Sequence, residues 1–301
     1  MSGTPIMLKA LPLPVTEMAY KSIVAELGLE NATVQELIKR LATRASDELV
    51  LKTPMTVPLL PFLDDDIIPR SMTFSELANS HDADRHWCEE LMIGDCQHDG
   101  NVFMFMGLAQ RKAGIAEALI TSFYANLPEE AAAAILQGYG IQPTTDDDEA
   151  MKLIVDLATD LAYFAPALAY ARSFLGKAYY YQFNEPNPWE GPFQGWSTHM
   201  LDAAFLFQNF NEQMSSEARM VARALATDFV KFANGVKPWD CFEADVGKVR
   251  SYGPSDKSVA AVIEVNGFGS GRREVLWQLS EDGKVDLDEL SAAWDLFIAG
   301  K

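Results

Sequence analysis

Residues 93–103 read IGDCQHDGNVF, and residues 195–207 read GWSTHMLDAAFLF. The first stretch sets Asp95, His98 and Asp99 between Gly94 and Gly100, two glycines that permit sharp turns. The second sets His199 directly ahead of an apolar run with helical character, in a chain with 4 histidines. A carboxylate on one loop and a histidine on another is the acid–base half of a catalytic triad. The carboxylate would hold the imidazole Nδ1–H, select its tautomer and support the imidazolium formed in the reaction. Taken singly, these are ordinary loop residues, so the chemistry depends on what positions them.

Two predicted strands would do that. Leu91, Met92 and Ile93 form a short apolar run into Gly94, and Lys177 to Phe183 (KAYYYQF) is aromatic and β-favouring. Each runs into a polar loop, and the carboxyl ends of parallel strands are where α/β folds place their chemistry. Around them the pattern is helical. Val15, Met18, Ala19, Ile23 and Leu27 mark a helix ended by Gly28, and Thr33 with Glu36 has capping-box spacing for a helix over 33–45. From about 105 to 175 a helix opens at Pro128-Glu129-Glu130 and closes at Gly138 and Gly140, and a longer one after Asp146–Asp148 should kink at Pro166. Ser216–Ala233 and Asp286–Ala299 read as further amphipathic helices. A hairpin is expected around Gly267–Gly271, between VAAVIEV and REVLWQL, and residues 54–69, with Asp64–Asp66, read as a surface loop. Strands separated by helices favour an α/β fold with a partly parallel sheet. No repeat, low-complexity segment or linker interrupts residues 1–301, which read as one domain.

Composition removes other classes of function. A net charge of −19 repels phosphate backbones and anionic lipid, so neither nucleic acid nor a membrane is an expected partner. The longest apolar run, Leu161 to Ala171, is too short to span a bilayer, and MSGTPIMLKALPLP has no signal-peptide core, so a cytoplasmic location is expected. Cys88, Cys96 and Cys241 imply no disulfide framework, and no CxxC or His-rich spacing suggests a metal. His81 and His86 read as polar-loop residues, Asp64–Asp66 lacks the later ligands of a calcium loop, and Tyr179–Tyr181 reads as sheet packing. GFGSG at 267–271 lacks the third glycine of a dinucleotide site. No cofactor is expected.

In their order, these stretches resemble the C-terminal part of the type B carboxylesterases, the cholinesterase-like branch of the α/β-hydrolase superfamily. The opening MSGT resembles the segment after that family's nucleophile helix. PFLDDDIIP, residues 61–69, is similar to its Asp-Gly turn before an Ile-Pro pair, with Asp65 where glycine is usual. IGDCQHDGNVF resembles the stretch that carries the triad acid, which falls on Asp99 where the family mostly has glutamate. KAYYYQF resembles the strand before the histidine loop, and GWSTHMLDAAFLF is similar to the Gly-Ala-x-His stretch, which puts His199 on the catalytic histidine. FVKFANGVKPW, REVLWQL and LDELSAAWDLFIAGK resemble the closing helix, strand and helix. The likeness covers nearly all 301 residues. It implies a partial α/β-hydrolase fold, with the C-terminal strands of a mostly parallel sheet, flanking helices and a helical excursion. It also implies hydrolysis of a small-molecule carboxylic ester, with Asp99 and His199 as catalytic residues.

The family's nucleophile lies in a Gly-x-Ser-x-Gly elbow, and no such stretch occurs in this sequence, nor does a His-Gly-Gly oxyanion loop. Ester hydrolysis by this route needs an oxygen nucleophile within reach of the histidine, and oxyanion donors worth roughly 3–4 kcal/mol each. Ser2 and Ser197 lack the strained strand-to-helix turn that exposes such a nucleophile. The chain alone is therefore expected to be inactive, and to self-associate through a cut sheet edge. The rival readings are a non-catalytic remnant or interaction module, and a truncated gene model. Pairing of Asp99 with His199 requires a separation of about 2.6–3.2 Å. In-frame coding sequence upstream of Met1 is expected to encode a Gly-x-Ser-x-Gly stretch; stop codons in every upstream frame of the genomic DNA, with no such stretch, would rule this out.

Overall fold

The computed structural model describes residues 6, 9–54, 57–58, 60–79, 88–243, 247–264 and 272–301. The chain divides into two compact units, Leu8–Met72 and Met1–Met7 with Thr73–Lys301. The smaller unit holds α1 (Leu13–Glu26), α2 (Val34–Thr43) and α3 (Ser46–Lys52) around Val24, Leu27 and Leu29. Gly28, at φ 64°, ends α1. Thr33 caps α2 reciprocally: its hydroxyl accepts from the Glu36 N–H, and the Glu36 carboxylate accepts from the Thr33 N–H. In the 61–69 turn the Asp64 carboxylate accepts from the N–H groups of Asp66 (3.1 Å) and Ile68 (2.7 Å). Asp65 sits at φ 60°, a left-handed backbone that favours glycine and that Asp tolerates better than most residues.

The larger unit runs α4 (Phe74–Asn79), β1 (Glu90–Cys96), α5 (Val102–Phe105), α6 (Ile115–Asn126), α7 (Glu129–Tyr139), α8 (Asp147–Thr159), α9 (Ala165–Ser173) and β2 (Lys177–Phe183). It continues through α10 (Leu201–Leu206), α11 (Ser216–Ala233), β3 (Lys248–Tyr252), β4 (Ala260–Glu264), α12 (Arg272–Glu281) and α13 (Leu287–Ile298). The strands form one sheet in the order β1-β2-β3-β4, parallel except for the β3–β4 pair. Glu90 pairs with Lys177 and Cys96 with Phe183, so β1 and β2 finish level. Their loops stay paired beyond the sheet: the Gln97 N–H donates to the Phe183 carbonyl and the His98 N–H to the Ser197 carbonyl (2.8 Å).

Strand alternation sends the three tyrosines of β2 to opposite faces. Tyr179 and Tyr181 join Phe183, Phe205, Val221, Leu225 and Tyr252 in one apolar layer under α10 and α11. Tyr180 points the other way, and its hydroxyl donates to Asp95 at 2.6 Å.

Pro166 leaves a specific mark. It cannot donate to the Ala162 carbonyl and its ring crowds that oxygen, so the backbone between α8 and α9 widens into a π-helical turn over Asp160–Phe164. The combined run Asp147–Ser173 is long and apolar enough to cross a membrane, and 78% of its most apolar window is buried inside the protein, as in a core helix.

Two sequence expectations need correction. REVLWQL lies in α12, not in a strand: Arg273, Leu276 and Trp277 are buried at the i, i+3, i+4 spacing of a helix. A seven-residue stretch is too short for its apolar period to separate the two cases. The second arm of the expected hairpin is therefore absent, and β4 pairs with β3 instead; Gly267–Gly271 lies outside the described residues. Gly138 does not close α7 but lies within it, where an added Cβ would stand 2.6 Å from Val275 of α12; Gly140, at φ 71°, is the terminator.

Gly100 sits where the loop after β1 crosses α8. An added Cβ there would meet the Val155 carbonyl oxygen at 2.4 Å and the Thr159 nitrogen at 2.7 Å, both of them helix backbone. Gly100→Ala is expected to cost about 3 kcal/mol, because backbone atoms cannot swing aside as a side-chain tip can. A urea-unfolding midpoint unchanged from wild type would contradict this close approach.

Candidate active site

Beyond Cys96 the chain turns through a short 3-10 segment, Asp99–Asn101, that brings the Asp99 carboxylate back under the strand end. One carboxylate oxygen accepts the Cys96 N–H at 2.5 Å, and the other lies 2.9 Å from His199 Nδ1. Asp99 is fully buried, whereas the His199 side chain keeps 22% of its exposure. Backbone contacts fix the histidine too: its N–H donates to Asn101 Oδ1 at 2.9 Å. Met200 follows at φ 67° and turns the chain into α10. The Tyr163 ring, from the π-helical turn, lies 5.3 Å from the imidazole.

Burial pushes the Asp99 carboxyl above its ordinary range, and the hydrogen bond and charge of His199 oppose that. An ionised Asp99 can only accept, so it selects the tautomer that carries its proton on Nδ1 and leaves Nε2 as the acceptor. That is the arrangement a general base requires.

The other two acid–base candidates of the 93–103 stretch face elsewhere, and Asp95 belongs to β1, which runs on through Gly94 to Cys96 instead of turning there. Asp95 is fully buried, accepts from Tyr180 and forms an ion pair with Arg273 that is ionic contact more than directed hydrogen bond. Its burial pushes its carboxyl up to about 6, against the pull of Arg273. His98 stacks against Trp196, with ring centres 4.9 Å apart, and its Nδ1 has no hydrogen-bond partner among the described residues. Burial and the charges of Arg272 and Arg273 push it down to about 4.

Ser197 is buried, and its hydroxyl donates to the Phe183 carbonyl at 2.7 Å, so it braces the histidine loop. Ser2, His81, His86 and the glycines of GFGSG lie outside the described residues. Among the described residues no three His, Cys, Asp or Glu side chains converge as metal ligands do.

Asn101, Tyr163, Thr159 and Asp202 are site neighbours that sequence reading did not single out. Asp202 accepts from the Tyr181 hydroxyl at 2.9 Å, and Thr159 Oγ1 accepts from the Gly100 N–H at 2.9 Å. Only Asn101 carried a local signal, as a polar residue two places beyond the acid. Phe105 and Phe193 pack at 5.6 Å, and Phe193 lies 6.0 Å from Trp196, which makes a chain of rings ending at His98.

No protein-family model matches the sequence, and no curated protein matches it. Solved structures do match its fold. A carboxylesterase from Geobacillus stearothermophilus aligns at TM-score 0.58 and 15% identity, over 87% of this chain and 55% of that one. Juvenile hormone esterase from Manduca sexta, solved with OTFP covalently attached, aligns at 0.54 and 14%, over 96% and 58%. A PNB esterase aligns at 0.52 and 16%, over 85% and 53%. The chain has an α/β-hydrolase-like fold. It spans a little more than half the length of each of these carboxylesterases.

Asp95 and His98 pull stability in opposite directions over nearly the same pH range. Folded Asp95 binds more protons than the unfolded chain between about 3.8 and 6, so its share of stability grows as pH falls through 6. Folded His98 binds fewer between about 6.5 and 4, so its share shrinks as pH falls. Each effect amounts to about 3 kcal/mol across its window. Relative to wild type, Asp95→Asn should therefore lose stability on acidification from pH 7 to 4.5, and His98→Phe should gain it. Parallel stability–pH curves for all three proteins, read from urea midpoints, would refute both assignments.

Proposed function

We propose that this chain carries the acid and the histidine of a serine-type carboxylic-ester hydrolase, and that the serine and the oxyanion donors come from polypeptide other than these 301 residues. The observation behind this reading is the contact of a fully buried Asp99 with His199 Nδ1 at 2.9 Å, on loops from adjacent parallel strands. The α/β-hydrolase-like fold and the carboxylesterase neighbours support it.

In this reading His199 Nε2 takes the serine hydroxyl proton as the oxygen attacks the ester carbonyl. The imidazolium so formed is held by the Asp99 carboxylate and returns the proton to the departing alkoxide, which leaves as the alcohol. Water then enters and gives a proton to Nε2 as its oxygen attacks the acyl-serine carbonyl. The serine oxygen leaves taking that proton back from Nε2, which frees the acid and restores the neutral histidine. Asn101 and the Cys96 N–H hold the two partners in place from the backbone side, so the pair needs no rearrangement when charge develops. The substrate class is a small-molecule ester, and Phe105, Phe193 and Trp196 offer an apolar wall near the site.

The isolated chain is expected not to hydrolyse aryl or short alkyl esters above its His199→Ala variant, because general-base help to water contributes only about 10²–10⁴-fold, and less without an oxyanion hole. The product of the longest transcript that reads in frame through residue 1 should be labelled on one serine by a phosphonate probe. His199→Ala should abolish that labelling and lower kcat by about 10⁴-fold or more. If the isolated chain is labelled on a serine, the nucleophile lies within these residues. If neither protein is labelled, the fold serves as a non-catalytic scaffold and the esterase reading fails.

A further inference from the structure

The ring of His199 is only as well aimed as the loop that carries Asp99. That loop is held on its sheet side by the Gln97 and His98 N–H groups, and on its helix side by the Gly100 N–H on Thr159. A third support comes from a residue far away in sequence. Arg272, the first residue of α12, spreads its guanidinium over three partners. Its Nε donates to both oxygens of Asp160 at 3.1 and 3.2 Å, one terminal nitrogen pairs with Asp156, and the other donates to the Gln97 carbonyl at 2.7 Å.

Those partners belong to the two pieces of backbone that flank the acid–histidine pair. Gln97 lies two residues before Asp99, and Asp160 opens the π-helical turn whose Tyr163 packs on the imidazole. The Tyr139 hydroxyl also donates to Asp160, at 2.8 Å, which keeps that carboxylate facing the guanidinium. The charged groups around Arg272 are Asp156 from α8, Asp160 from the turn, and Arg273, which holds Asp95 on β1. A planar guanidinium can meet a carboxylate and a carbonyl at fixed angles from one position; an ammonium is a point charge that cannot span both.

We propose that Arg272 is a positioning residue. By tying the Gln97 carbonyl to Asp160 it holds the acid loop and the π-helical turn in register, and so keeps Asp99 on His199 Nδ1. It touches neither side chain. The role deepens the esterase reading above and rests on it for its catalytic meaning, but the geometry can be tested without any turnover.

The readout is the low-field proton NMR signal of the His199 Nδ1–H in the purified chain, assigned by its absence in His199→Gln. Arg272→Lys keeps a positive charge beside Asp160 but gives up the fork to Gln97, and the signal should be lost to exchange with water. Asp156→Asn removes an Arg272 contact that does not involve the loop, and there the signal should persist. A folded Arg272→Lys protein, with wild-type circular dichroism and an unchanged signal position and exchange rate, overturns the proposal. Should Arg272→Lys not fold, Asp160→Asn takes its place: it weakens the same fork from the other side and should broaden the signal, and an unchanged signal again overturns the proposal. Failure of the esterase reading would show instead as absent probe labelling with the proton signal intact.

Discussion

The level, parallel pairing of β1 with β2 is the constraint on which the site depends. Because Cys96 pairs with Phe183, the two chains leave the sheet at the same height, and the next two residues beyond β1, Gln97 and His98, still donate across the gap to Phe183 and Ser197. Parallel strands need a long crossover, and here the connection from β1 to β2 is the whole helical stretch α5–α9. That stretch returns over the strand ends, which is how a turn between α8 and α9 comes to touch a histidine some forty residues further on. Slip the register by one residue and the two strand ends would no longer finish level, and the bonds of Gln97 to Phe183 and of His98 to Ser197 that align the two loops would be lost.

Around this pairing the protein buries an unusual amount of charge. Asp95, Asp99 and Asp160 are all fully inaccessible, and desolvating each carboxylate costs several kcal/mol unless it is matched. Each is matched, and by a different chemistry: Asp95 by Arg273 and a tyrosine hydroxyl, Asp160 by Arg272 and another tyrosine, Asp99 by a histidine and a backbone N–H. Burial still wins at all three, since each carboxyl is pushed upward despite its partners. Two of the carboxylates face arginines that stay charged at any accessible pH. Only Asp99 faces a group whose own proton is readily moved, and this singles it out among chemically identical side chains.

Much of the secondary structure was legible in the sequence because its local signals were strong. The capping box at Thr33, the aromatic run of β2, the terminating Gly140 and the amphipathic face of α11 each have a one-element cause. Pro166 announced a disturbance, but whether the chain would kink or widen depended on how the surrounding core held both sides of it. The REVLWQL stretch misled because its run Val275-Leu276-Trp277 is short enough to be buried in a strand or in a helix, and the helical face at 273, 276 and 277 shows only once the stretch is folded as α12 against α7.

The sequence by itself determined which residues could do acid–base work, that they stand at strand ends, and that no Gly-x-Ser-x-Gly elbow accompanies them. These are matters of residue type and local order, carried by a few neighbouring positions. The family resemblance had already put the acid on Asp99; only the tertiary structure decided that Asp95 turns to Tyr180 and Arg273, that His98 is buried against Trp196, and that Ser197 gives its hydroxyl to a backbone carbonyl. It also brought Arg272 to Gln97 across 175 positions. The physical reason is range. Propensity and capping act within a turn of chain, whereas a buried charge takes its partner from whichever element folding brings beside it, and sequence separation carries no record of that choice.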